Sequence, residues 1–221
     1  MRRALPAGLL LPALALLGFL ISLSPAARAQ ERGRDTPGTF DFFVLALSWS
    51  PTYCAQPKAS PQQCRGTSRR FVVHGLWPQY ARGYPDYCQT PAPYVPEEVI
   101  TSMADLMPSK GLVLHEWRKH GTCTGLSPDG YFDLVRKARA RVSVPSAFEG
   151  TLTPSLTGAQ IEDAFLAANP GLKGDMIALD CNDERLAEVR VCLSRSLDFI
   201  ACPEVNRRGC SLSRTLAVPA P

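Results

Sequence analysis

The segment Leu114-His115-Glu116-Trp117-Arg118-Lys119-His120-Gly121-Thr122-Cys123 places two imidazoles, a carboxylate and an ammonium within six consecutive positions. If the segment is helical up to Gly121, His115 and Lys119, and Glu116 and His120, are i,i+4 pairs. All four side chains then share one face, while Trp117 and Arg118 turn away. Such a face joins groups that exchange protons near neutral pH to a fixed cation, which is what acid–base chemistry on an anionic substrate needs. Mixed charge runs are commonly solvated helix faces. Here, however, the chain contains only three histidines, and the third, His74, lies in another unusual string, Phe71-Val72-Val73-His74-Gly75-Leu76-Trp77-Pro78. No histidine is left for ordinary surface, and that concentration points to an active site. A zinc hydrolase would use the same residue types, but its H-E-x-x-H motif sets the histidines four apart, whereas here they are five apart and leave the common ligand face. No metal or other cofactor is expected.

The cluster must be held by rigid elements. Residues 40–49 form an apolar, aromatic and β-branched run suited to a buried strand, ended by Pro51. Residues 51–70 read as a loop stapled at Cys54 and Cys64. Residues 71–76 form a second strand, with His74 near its end and Trp77-Pro78 in the loop beyond. Residues 79–96 make a long loop carrying Tyr80, Tyr84, Tyr87 and Tyr94, and long loops on rigid frames are favoured binding sites. A helix is expected over 96–107, followed by the helix of the polar cluster, with Gly121 as its left-handed closing residue and Cys123 as a disulfide anchor. A third helix starts at Ser127-Pro128-Asp129; its Arg136, Lys137, Arg139 and Arg141 read as a solvated face. Thr157 with Gln160 forms a capping box for a fourth helix, ending at Asn169-Pro170-Gly171. Strands follow over 176–180, 186–193 and 197–201 and read as scaffold. Strands at both ends around central helices indicate an α+β domain.

Residues 1–29 read as a secretory signal peptide. Arg2 and Arg3 precede an apolar run over 9–23, and Ala27-Arg28-Ala29 gives a cleavage pattern near Ala29. Pro12 and Gly18 interrupt the run, which falls short of the about 20 apolar residues of a membrane span. Residues 30–39 read as a flexible leader and 40–221 as one domain. A soluble monomer, secreted or periplasmic and without stable membrane association, is expected. Removing the signal leaves 21 Lys+Arg against 20 Asp+Glu. That balance excludes a protein that coats nucleic acid through a general basic face, so an anionic substrate must be gripped locally. The eight cysteines all lie in the mature part and read as a disulfide framework; no Cys-x2-Cys occurs, and spacing leaves the connectivity open.

His74-Gly75-Leu76-Trp77-Pro78 and the segment from His115 to Cys123 resemble, in order and at roughly forty residues' spacing, the two signature segments of the ribonuclease T2 family. The resemblance runs from the strand at Phe43 to Cys202-Pro203. It implies a secreted, bacterial-type member with an antiparallel sheet flanked by helices and stapled by disulfides. It also implies metal-free endonucleolytic cleavage of single-stranded RNA, not DNA, with low base specificity and a 2′,3′-cyclic phosphate intermediate. The pairs Cys88–Cys123, Cys192–Cys202 and Cys181–Cys210 follow from the resemblance, with Cys54–Cys64 as the remaining pair.

By the same match His120 is the base, His74 the acid, Lys119 and Glu116 serve the transition state, and His115 binds phosphate. Metal-free cleavage requires such a base, acid and cation. Trp77 is expected to stack on a base, with Gln79 at its edge and Tyr84 as a further partner. Pro108 and Ser109 resemble part of a second base site, although the glutamine that many relatives carry on the first strand has no counterpart around Ala46-Leu47. A secreted binding module that keeps the fold without catalysis is the rival class. It is disfavoured because every residue of the catalytic pattern is present.

Overall fold

Strand β1 (Phe42–Trp49) is buried along its whole length; both its faces are packed, and it pairs on both edges, with β2 (Phe71–Gln79) on one side and β5 (Arg185–Leu193) on the other, antiparallel in both cases. The computed structural model describes Met1 and residues 35–65, 70–149 and 154–220. The expected signal peptide and the leader up to residue 34 therefore lie outside the described residues. Strand β4 (Ile177–Asn182) forms a hairpin with β5. Two strands of three residues, β3 (Ser155–Thr157) and β6 (Thr215–Ala217), pair with each other, and β6 meets β5 in a single parallel pair. Seven helices complete the described fold: α1 (Ser50–Cys54), α2 (Pro61–Cys64), α3 (Glu97–Ser102), α4 (Lys110–Lys119), α5 (Pro128–Ala140), α6 (Gly158–Ala168) and α7 (Pro203–Arg207). The class is α+β, as expected.

The two-residue period of β1 divides the interior. Phe43, Leu45, Leu47 and Trp49 point into the main core with Val73, Val189 and Val191, beneath Val99 and Ile100 of α3, Val113 and Trp117 of α4, Phe132 of α5 and Phe165 of α6. Phe42 and Val44 point the other way, into a small cluster with Cys192 and Cys202 that Trp77 packs against. Helix starts follow their capping chemistry. Ser127 accepts a hydrogen bond from the Gly130 amide, Ser109 from that of Leu112, and Thr157 and Gln160 close the capping box seen in the sequence.

Several expectations are corrected. Strand β2 does not stop at residue 76 but carries Trp77 and Pro78 to Gln79. It lies at the end of the sheet order, and an edge strand tolerates the absence from the ladder of the N–H donor that proline lacks. Residues 197–201 form no strand, only a bridge between Leu193 and Phe199. There Ser194 accepts from the amides of Ser196 and Asp198, and Leu197 is left-handed with φ 68°, so the chain turns back tightly. The expected helix over 96–107 is only α3. Strands β3 and β6, and helices α1, α2 and α7, were not anticipated.

Gly121 is not a left-handed cap; it opens a 3-10 turn (Gly121–Cys123). A Cβ there would lie 2.4 Å from a Trp117 ring carbon and 2.9 Å from one of Tyr131, so its role is close packing. The pairs implied by the resemblance, Cys54–Cys64, Cys88–Cys123, Cys181–Cys210 and Cys192–Cys202, are all present. Cys88–Cys123 ties the tyrosine-rich loop to the end of α4, where the Tyr87 amide also donates to the Lys119 carbonyl at 2.9 Å.

Two stability outcomes follow. Gly121→Ala should lose about 1–3 kcal/mol by overpacking rings that cannot move; urea denaturation at wild-type stability would contradict this. Loops of separation 35 and 10 are closed by Cys88–Cys123 and Cys54–Cys64 respectively. Chain entropy alone therefore makes removal of the first bridge, as a double serine variant, about 1 kcal/mol more costly than removal of the second. Equal unfolding free energies for the two variants would refute the ranking.

Candidate active site

His74 sits at a register break in β2. Pairing steps from Ala46 opposite Gly75 to Leu47 opposite Val73, which leaves His74 as the extra residue of a bulge. Bulges of this kind re-aim a side chain away from the regular pleat. The His74 ring is turned into a cavity of about 300 Å³ whose wall also includes His115, Glu116, Lys119 and His120. The sequence reading of those four as one face is therefore met, with His120 at the C-cap of α4 rather than inside it.

Helix and strand approach closely at Gly75. A Cβ on Gly75 would lie 2.0 Å from a Glu116 carboxylate oxygen and 2.3 Å from Trp77 Nε1. In that space Trp77 Nε1 donates to Glu116 Oε2 at 2.8 Å. The other carboxylate oxygen, Oε1, stands 3.6 Å from His74 Nε2. The Trp77 ring stacks on His120 at 5.4 Å between centroids, meets His74 edge-on at 5.2 Å, and carries the Arg190 guanidinium at 5.4 Å. One indole thus joins both candidate histidines and the carboxylate.

Two residues that the sequence reading assigned to scaffold enter the site. Glu188 of β5 accepts the His74 Nδ1 hydrogen and also accepts from Ser48 Oγ at 3.0 Å. Arg190 holds the other Glu188 oxygen through Nε and Nη2, at 3.0 and 2.8 Å, and reaches Asp180 at 3.0 Å. Two charged residues at alternate positions of a half-buried strand, pointing to one face, were the available signal. Arg190 and His74 also line a second cavity, of about 510 Å³, with Ser48, Tyr53 and Leu112.

The electrostatics separate the two histidines. Burial, with the charges of Lys119, His74 and His115, pushes the His120 imidazole down to about 2. Its buried Nδ1 meets no hydrogen-bond partner among the described residues. Burial also draws proton affinity out of His74, but the hydrogen bond and charge of Glu188, aided by Glu116, outweigh it and leave the ring above its ordinary 6.5. Burial raises the Glu116 carboxyl to about 7 against the pull of His74, the indole N–H and Lys119. Burial works the same way on Glu188, yet His74 and Arg190 overcome it and hold that carboxylate at about 2. His115 lies below 6.5 through burial and the neighbouring Lys119 charge.

The residues expected to contact bases divide. Gln79 lines the cavity with its side-chain amide donating to the Pro78 carbonyl at 3.0 Å, and Tyr84 is 46% exposed beside it, with the Lys119 ammonium 5.7 Å over its ring. Pro108 and Ser109 line neither cavity; Ser109 is buried and occupied as the N-cap of α4. Leu112, one turn further on, takes the lining position.

Residues 40–202 match the ribonuclease T2 family. A ribonuclease of Aeromonas hydrophila is 42% identical over 134 residues, 59% of this chain and 58% of that protein. A probable ribonuclease of Haemophilus influenzae is 35% identical over 135 residues, 54% and 49% of the two chains. The matched stretch thus spans about half the length of these two relatives. Ribonuclease DdI of Dictyostelium discoideum is 28% identical over 193 residues, covering 79% of this chain and 83% of that protein. Among solved structures, an RNase-related protein from Calystegia sepium aligns with a TM-score of 0.65 at 21% identity, over 81% of this chain and 97% of that one. RNase NT, solved with 5′-AMP, aligns at 0.63 and 24% identity, over 82% and 99%. At such identities the structural likeness speaks for the fold, while the sequence match over residues 40–202 carries the family, and the chain belongs to the ribonuclease T2 family.

Proposed function

We propose that the protein is a metal-independent endoribonuclease that cleaves single-stranded RNA with low base specificity through a 2′,3′-cyclic phosphate. One observation carries the reading: two imidazoles pack on the same indole, and their surroundings hold one neutral and the other charged. Cyclising cleavage needs that pair. In the first step His120 takes the 2′-hydroxyl proton, the 2′-oxygen bonds to phosphorus, the bond to the 5′-oxygen breaks, and His74 gives its Nε2 proton to the departing oxygen. In the second step the roles reverse, as His74 deprotonates water and His120 protonates the 2′-oxygen.

Lys119 supplies the positive charge for the crowded phosphorane, and Glu116 in its acid form donates a hydrogen bond to a phosphoryl oxygen, which a carboxyl near 7 can do on the acidic side of neutrality. His115, largely neutral, donates to the phosphate. The flanking bases use the exposed Tyr84 ring and the parts of Trp77 left open, contacts that read no base edge and so give low specificity. With two cavities meeting at His74 and Arg190, a strand can lie on both sides of the scissile phosphate. Residues 40–221 act as one catalytic unit, monomeric and secreted or periplasmic. Support for the compartment comes from the signal-like residues 1–29 and from four disulfides. No helix among the described residues is long and apolar enough to cross a membrane.

A substrate's own charge modifies this picture. The phosphodiester anion offsets the cations that depress His120, so the base gains proton affinity as the complex forms. For the free enzyme, kcat/KM should stay flat at acidic pH and fall as pH rises through about 7, where Glu116 ionises, and on through the raised His74 value. An acidic limb should appear at higher pH in kcat than in kcat/KM. A rate that climbs steadily into alkaline pH would exclude the pair.

The direct test is product analysis. RNA should be cut and single-stranded DNA left intact, because DNA lacks the 2′-hydroxyl nucleophile. Cyclic phosphates should appear transiently, and EDTA should change nothing. His74→Ala and His120→Ala should each lower the rate on the order of 10²–10⁴-fold with folding retained. Cleavage of DNA at a comparable rate, or inhibition by EDTA reversed by zinc, would overturn the assignment.

A further inference from the structure

Glu188 has no part in the mechanism above, yet its carboxylate is the most completely coordinated group near the reacting histidines. It is 7% exposed. One oxygen accepts from Ser48 Oγ and His74 Nδ1, and the other is clamped by Arg190 through two N–H groups. The clamp is itself braced by Asp180 of β4. Placing an ion this deep is costly unless every oxygen is satisfied, and here both are. The strand register explains how: Ser48 lies directly opposite Glu188 across the β1–β5 pairing, and the bulge in β2 swings His74 over the same face.

We propose that Glu188 is a positioning residue: by accepting the Nδ1 hydrogen of His74 it fixes the ring orientation and the tautomer that present Nε2 to the departing 5′-oxygen. An imidazole bound at Nδ1 carries its exchangeable site on Nε2 in both steps, as a proton to give in the first and as a lone pair to accept in the second. Without the carboxylate the ring can rotate about its bond to Cβ or adopt the other tautomer, and either places the wrong atom at the leaving group. The proposal rests on the assignment of His74 as the acid. The charged and titratable groups facing His74 are Glu188 and Arg190 on β5, Asp180 on β4, and His115, Glu116 and His120 at α4. Of these, Glu188 is the anion in direct contact. Its neutralisation leaves burial and Arg190 to act against the imidazolium, so the proton is lost at lower pH.

The test compares Glu188→Gln with His74→Ala on two substrates. One is a ribodinucleotide, whose alkoxide leaving group needs an acid; the other is a ribonucleoside 3′-(4-nitrophenyl phosphate), whose phenolate does not. For the dinucleotide, Glu188→Gln should reduce kcat/KM roughly 10–100-fold, the usual worth of a carboxylate that orients a functional histidine. The part of the alkaline limb that His74 sets should move to lower pH. The nitrophenyl ester should be turned over at close to the wild-type rate. Equal losses on both substrates, or an unmoved limb, would overturn the positioning role provided His74→Ala is selective for the dinucleotide. If His74→Ala itself slows both substrates alike, the acid assignment fails instead, and the two failures are told apart. Should Glu188→Gln not fold, 15N spectra of the imidazoles in the unaltered protein decide: above its pKa, His74 carrying its proton on Nδ1 supports the proposal, and on Nε2 refutes it.

Discussion

The closest constraint in this molecule is the approach of α4 to β2 at Gly75. With no side chain there, the Glu116 carboxyl and the Trp77 indole nitrogen occupy the volume that a Cβ would need, and their hydrogen bond joins the two elements at the wall of the cavity. Everything else in the site is referred to that contact. Trp77 is held edge-on to His74 and face-on to His120, so a single glycine sets the spacing between the two imidazoles and the Glu116 carboxyl. Gly121 does the same on the far side, where α4 ends against the fully buried Trp117 and Tyr131, and the Tyr131 hydroxyl donates to the Leu76 carbonyl of β2 at 3.0 Å. The two signature strings are therefore one packing unit written in two places.

This explains which parts of the protein were legible in its sequence. The polar face of α4 was, because an α-helix converts spacing directly into direction; His115, Glu116, Lys119 and His120 all line the cavity. Strand β1, the capping box of α6 and the fold class were legible for the same reason, since local periodicity and capping chemistry decide them. The disulfide pairs were not readable from spacing and came only with the family resemblance.

What stayed hidden depends on contacts between distant segments. Glu188 and Arg190 alternate with valines as any half-exposed strand would, and only the β1–β5 register shows that they face His74. The bulge that aims His74 exists only as a mismatch between two strands. Trp77-Pro78 remains in a strand because β2 is an edge, which is a property of the sheet order. The three-residue strands β3 and β6 are too short to show any period. Ser109, whose motif position resembles part of a base site, is also the N-cap of α4, a use that only the position of the helix start reveals.

The same constraints account for the division of labour between chemically identical side chains. His120 is buried beside Lys119, His74 and His115, so a proton there would lose its hydration and face the Lys119 charge in a medium of low polarity. His74 lies between two carboxyl groups, of which the ionised Glu188, braced on its far side by Arg190, raises its proton affinity against the effect of burial. In the proposed reaction a substrate phosphate between the two rings would raise the proton affinity of His120 while Glu188 stays on the far nitrogen of His74. In the free protein His120 is therefore held unprotonated, and in the cleavage proposed above it is the substrate anion that supplies the charge for it to accept a proton.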